Sequence, residues 1–155
     1  MELEPLPPIL VIGVGNPSRG DDALGPLAVA RVAELELSTV TVLTDFQLAP
    51  EHSLDIIERE LVVFVDATVQ GDGPYTFTPV VAKHDDSVTT HALSPSAVLD
   101  TFLHVTGLPV PPAYVLAIRG YDFELGAPLS PRATANLELA VAALIEHVRA
   151  FTIAA

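Results

Sequence analysis

The feature that most narrows the fold of this chain is a run of six apolar residues, Ile9–Leu10–Val11–Ile12–Gly13–Val14, which breaks into a polar loop and then resumes at helical spacing. A continuous apolar run rich in β-branched residues suits a strand buried on both faces, and such strands occur in parallel sheets covered by helices on either side. After the loop Asn16 to Asp22, the residues Leu24, Ala28, Val32 and Leu35 recur with helical period, and the acidic residues ahead of them suit the positive end of a helix. Val40 to Thr44 reads as a second strand, and Pro50 to Glu60 as a short helix with proline in its first turn. Leu61 to Val65 is a third buried strand and ends on Asp66, while Tyr75 to Val81 alternates behind Gly73–Pro74 and reads as an edge strand. A polar loop, His84 to His91, follows.

Ser94–Pro95 and Ser130–Pro131 each pair an N-cap residue with proline at the first helical position. The first opens a helix with Val98, Phe102 and Val105 on one face, and the second opens the longest helix, whose core stripe is Leu137, Val141, Leu144, Val148 and Phe151. Tyr114 to Ile118 lies between them as a last buried strand. The order β-α-β-α-β-β-α-β-α, with no internal repeat or linker, predicts one α/β domain over residues 1–155. It is a three-layer domain with a twisted, mainly parallel sheet of about five strands and helices on both faces.

Composition removes several classes of function. The chain has no cysteine, so disulfides, thiolate metal sites and a cysteine nucleophile are all absent. Seven Lys and Arg against twenty Asp and Glu give a formal charge of −13. Such a surface repels phosphate backbones and anionic membranes, so neither nucleic acid nor a membrane is expected as a partner. The first eight residues carry Glu2 and Glu4 and lack the basic-then-apolar pattern of a signal peptide, and no apolar run is long enough to span a bilayer. The expectation is a soluble, cytoplasmic, monomeric protein.

In an open α/β sheet, ligands sit beyond the carboxyl ends of the strands, near the point where the strand order switches. Asp21–Asp22 follows strand one, Asp66 ends strand three, and Thr89–Thr90–His91 precedes a helix start. If strands one and three are neighbours, two carboxylates converge on one crevice, and with an imidazole they make a ligand set for a borderline divalent metal that leaves positions open. Singly, each Asp reads equally well as a capping carboxylate, and His91 as a surface residue. Gly13–Val14–Gly15–Asn16–Pro17–Ser18 approaches a dinucleotide fingerprint but has Ser18 where the third glycine belongs. There is no G-x-S-x-G elbow, H-E-x-x-H pair or Walker loop. His52 and His147 read as surface residues, His104 as a helix-end histidine, and His84 as a weaker alternative to His91.

The stretch from Val11 to Pro26, VIGVGNPSRGDDALGP, resembles the opening signature of the hydrogenase maturation proteases: a G-x-G-N turn, a short loop, an acidic pair and a glycine at a helix entry. Val65–Asp66–Ala67, the His91 segment, Arg119–Gly120 and Leu129–Ser130–Pro131 follow in that family's order, so the resemblance covers essentially the whole chain. It implies an aspartic-type, nickel-dependent endopeptidase whose catalytic and metal-binding trio matches Asp22, Asp66 and His91, with Asp22 preferred to Asp21 and Asp21 dispensable as a ligand. The implied substrate is a nickel-loaded NiFe-hydrogenase large-subunit precursor, from which a C-terminal extension is cut. The nickel would come with the precursor. Where many members have a glycine- and threonine-containing loop, this chain reads Asp45–Phe46–Gln47–Leu48–Ala49–Pro50, which makes Asp45 and Gln47 candidate substrate contacts. Two other readings compete. One is a non-enzymatic nickel-binding or chaperone-like module. The other is a peptidyl-tRNA hydrolase-like enzyme, which shares the Gly-x-Gly-Asn-Pro turn but is disfavoured by the charge.

Overall fold

The computed structural model describes residues 4–84 and 92–154. Strands β1 (Ile9–Val14), β2 (Val40–Asp45), β3 (Leu61–Thr68), β4 (Tyr75–Pro79) and β5 (Ala113–Arg119) form one sheet in the order β2-β1-β3-β5-β4. Every pairing is parallel except that of β4, which runs antiparallel along the outer edge of β5. The helices are α1 (Leu24–Ala33), α2 (Pro95–Thr106) and α3 (Pro131–Ala154), and short 3-10 segments cover Gly20–Ala23 and Pro50–Ile56.

The central strands are buried on both faces, and their alternate residues feed two separate cores. Ile9, Val11, Val63 and Val65 pack with Leu24, Ala28 and Val32 of α1 and with Leu137, Val141, Leu144 and Val148 of α3. Leu10, Ile12, Val62 and Phe64 face the other way, toward Val98, Leu99 and Phe102 of α2 and Ile56. This is the three-layer arrangement expected from continuous apolar strands.

Several details differ from the sequence expectations. β4 stops at Pro79, which has no N–H to continue a ladder, and Val81 beyond it is exposed. Leu35 lies past the end of α1 and is exposed, as is Val105 in the last turn of α2, because each follows the helical period beyond the edge of the sheet it would pack on. The segment after Pro50 winds as a 3-10 helix and buries His52. His147, also expected at the surface, is half-buried on α3, with its ring 4.8 Å from Phe77 and 4.5 Å from Tyr114.

The start of α1 sits directly on the carboxyl ends of β1 and β3. A Cβ on Gly25 would lie 2.6 Å from the Val65 carbonyl oxygen and would also overlap that of Val14. Glycine in a helix usually costs stability relative to alanine. Here the sign reverses, because the backbone of two strands leaves no room. Gly25→Ala is expected to lower stability by about 1–3 kcal/mol, read as the shift in the urea unfolding midpoint. A neutral or stabilising result would mean that α1 can lift off the sheet at no cost.

Candidate functional site

From β1 the chain leaves toward β2 on one side, and from β3 it leaves toward β4 and β5 on the other, so the strand order switches between β1 and β3. The condition set by the sequence is met: the two strands are neighbours, with Gly13 opposite Val65. Asp22 lies in the 3-10 turn after β1, and Asp66 near the carboxyl end of β3, which continues two residues past the Asp66 expected to end it because Ala67 and Thr68 still pair with β5.

Asp22 is placed by the turn it belongs to. Gly15 has φ 147°, and a side chain there would overlap the Asp22 carbonyl oxygen. The loop can therefore close on itself, and Asn16 donates its N–H to Asp22 Oδ2 at 2.7 Å. A carboxylate now occupies the turn where a dinucleotide fold would cradle pyrophosphate, which accounts physically for the failed fingerprint. Asp66 is half-buried and accepts the Ala67 N–H at Oδ1, 2.7 Å. Burial pushes its carboxyl up to about 7, the Ala67 hydrogen bond opposes this, and the charge of Asp22 adds to it. The two carboxylates thus share one electrostatic field. Each keeps one oxygen that takes no hydrogen bond among the described residues.

Asp21, the neighbour, faces the opposite way and is fully buried. Its carboxylate accepts the N–H groups of Tyr121 at 2.7 Å, Asp122 at 3.0 Å and Ser130 at 2.7 Å, and the Ser130 hydroxyl at 2.7 Å. Burial alone would raise its pKa, but the hydrogen bonds from Ser130, Asp122 and Tyr121 outweigh it and hold the carboxyl below its ordinary value. Asp21 is therefore an anchor that fixes the loop beneath Asp22. Nothing in the local sequence marks this, because its partners lie 100 to 109 residues away.

His91 lies outside the described residues, as does the segment 85–90. His84 is exposed, with Nδ1 3.4 Å from Asp100 Oδ2 on α2. Asp45 ends β2 opposite Val14, and its Oδ2 is 3.3 Å from Nε2 of the buried His52. With Gly15, Pro17, Pro26, Thr44 and Phe46 it lines a cavity of about 230 Å³. Gln47 is exposed on the same loop. Among the described residues no cluster of three His, Asp or Glu side chains can hold a metal ion. Two hard oxygen donors fit part of a divalent-cation shell and leave the remaining positions to donors from elsewhere.

No family model matches the chain, and no curated protein matches it by sequence. Solved structures do. The NiFe-hydrogenase maturation protease HycI from Thermococcus kodakarensis KOD1 superimposes with a TM-score of 0.72 at 26% identity, covering 90% of this chain and 91% of that one. The hydrogenase maturating endopeptidase HybD from E. coli gives 0.69 at 25% identity, with 91% of each chain covered. A hydrogenase 2 maturation peptidase from a Thaumarchaeota archaeon gives 0.63 at 21%, a likeness of fold. The resemblance carried by the opening motif thus extends to the tertiary structure: the chain is a structural relative of the NiFe-hydrogenase maturation proteases.

Two outcomes test this geometry. Asp66 has an ordinary value of 3.8 and a folded value of about 7. The folded protein keeps a proton that the unfolded chain releases, so this contribution is full below 3.8 and is lost as pH rises through 7. Asp66→Asn is expected to match the parent near pH 4 and to exceed its stability at pH 8 by up to about 4 kcal/mol; denaturant titration at both pH values reads it. Asp21→Asn, which turns an amide donor toward four donors, is expected to cost about 3 kcal/mol, and no loss in unfolding midpoint would remove the anchor role.

Proposed function

We propose that this protein is an endopeptidase that removes the C-terminal extension of a nickel-loaded NiFe-hydrogenase large-subunit precursor. The observation that carries the reading is the pair of carboxylates, Asp22 and Asp66, held in each other's field at the switch point of the sheet. Support comes from the likeness in fold to structures described as hydrogenase maturation proteases and endopeptidases.

Burial and the Asp22 charge keep Asp66 near half-protonation at neutral pH. A nickel ion carried by the precursor supplies the missing positive charge, so docking lets Asp66 ionise and relieves the repulsion. This makes the site a test for loaded substrate: a precursor without its metal meets two carboxylates that gain nothing from the encounter. His91 completes the trio as a third donor, and the precursor contributes the rest of the shell. Nickel held by Asp22, Asp66 and His91 would supply Lewis-acid polarisation of the scissile carbonyl or activation of water, and the Asp66 carboxyl is poised to accept and return a proton near neutral pH. The reaction takes place in the cytoplasm, where the precursor is made.

Mass spectrometry of precursor incubated with the protein tests the reading. Nickel-loaded precursor is expected to shorten, and apo precursor to stay intact. Asp22→Asn and Asp66→Asn are each expected to slow cleavage by at least about 100-fold, while the second of them gains stability at alkaline pH. Because protons compete with metal for Asp66 and His91, association is expected to weaken as pH falls below about 7. Complex formation without shortening would favour a binding module instead, and efficient cutting of apo precursor would favour a conventional metalloprotease.

A further inference from the structure

The chain has seven Lys and Arg residues in all, and their distribution is uneven. Arg31 pairs with Glu138, and Arg59 is occupied with the Pro7 and Asp55 carbonyls and the Thr41 hydroxyl. Two others, Arg119 and Arg132, stack on a single ring: their guanidinium carbons lie 4.8 Å and 4.2 Å from the centroid of Tyr121. Arg119 closes β5, in register with Thr68, two residues beyond Asp66 on β3. Arg132 is the second residue of α3. The stack therefore belongs to the same carboxyl edge of the sheet as the Asp22–Asp66 pair.

The platform is built rather than incidental. Asn136 Nδ2 donates both to the Tyr121 hydroxyl, at 2.9 Å, and to the Arg119 carbonyl, at 3.0 Å. The Tyr121 N–H is clamped by Asp21, so the ring that carries both guanidiniums is fixed to the loop that carries Asp22. Arg119 donates one bond to the Gly120 carbonyl. Among the described residues neither arginine forms an ion pair with a carboxylate, although the chain carries twenty Asp and Glu. The nearby acids are otherwise engaged: Asp21 is buried under four donors, and Asp122 Oδ1 accepts the Glu124 N–H.

Two guanidiniums held against one aromatic ring, with most donors unspent, make a locally cationic spot that suits an oxyanion, and a carboxylate fits the planar fork of either one. The overall charge of −13 does not cancel this, since at physiological ionic strength fields fade over about 8 Å. We infer that the Arg119–Tyr121–Arg132 stack is a specificity subsite that binds a carboxylate of the peptide tail being removed, while Asp22 and Asp66 engage the cationic end of the same substrate. This rests on the proposed peptidase activity and deepens it: opposite charges at two points of one edge set the direction in which the tail lies.

The test uses the full chain and a fluorescent synthetic peptide of the precursor's C-terminal tail, made with a free terminal carboxylate, as the C-terminal amide, and with its Asp and Glu changed to Asn and Gln. The parent is expected to bind the free-acid peptide about tenfold more tightly than whichever neutralised form lacks the carboxylate that is read. Loss on amidation identifies the tail's terminus, and loss on Asp and Glu replacement identifies a side chain; either supports the inference. In Arg119→Gln/Arg132→Gln the discrimination is expected to vanish. With loaded precursor, KM should rise about tenfold at unchanged kcat. Arg132→Gln alone, at an exposed position, should give a partial loss without any change in unfolding midpoint, and Arg132→Lys should recover part of it. A double variant that cuts the precursor with the parent's KM and binds all three peptides as the parent does would overturn the inference and leave the peptidase activity standing. A parent that binds the free-acid peptide selectively but cuts nothing would refute the activity and leave the anion subsite.

Discussion

A single buried carboxylate holds the functional edge of this protein together. Asp21 sits in the short 3-10 turn after β1 and gathers four donors from a segment 100 to 109 residues away. Burying a carboxylate is costly unless hydrogen bonds replace its water, and here three backbone N–H groups and a hydroxyl do so. The segment 121–130 is thereby pulled over the first turn, α3 receives its capping serine in place, and the rim of the crevice becomes one body. Asp22, a residue further on, inherits its position from this contact.

The site built on that anchor works against the protein's own stability. Asp66 follows five buried apolar residues of β3, two positions before the strand ends at Thr68, and is close enough to Asp22 to feel its charge. A fold selected for stability alone would place a neutral residue there. Carboxylates brought together in a half-buried crevice repel one another, and either a proton on Asp66 or a nearby cation relieves that repulsion. The arginine stack across the edge supplies the opposite polarity at a point where it does not neutralise the pair.

Much of the layout was legible beforehand. Continuous apolar strands announced a parallel sheet covered on both faces, and the serine–proline caps located α2 and α3 to the residue. The adjacency of Asp22 and Asp66 followed once β1 and β3 became neighbours. The errors lie where a local period was carried past the surface it packs on, at Leu35 and Val105, and where a polar side chain was assumed to seek water. His52 is buried by the tight 3-10 turn of its own neighbours, and His147 is half-buried against the rings of Phe77 and Tyr114, which lie far from it in the sequence.

The sequence alone determined the class of fold and singled out two carboxylates that the fold brings to one edge of the sheet, because alternating periods, caps and a glycine turn act within a dozen residues. The preference for Asp22 over Asp21 as a candidate ligand came from a motif, and the burial of Asp21 under four donors agrees with it. Tertiary structure decided the rest: that Asp21 faces inward and anchors, that Asp66 is raised toward neutrality by burial and by Asp22, and that Arg119 and Arg132 share one ring. Those properties depend on contacts between segments distant in the chain, and field and burial exist only once the layers have closed.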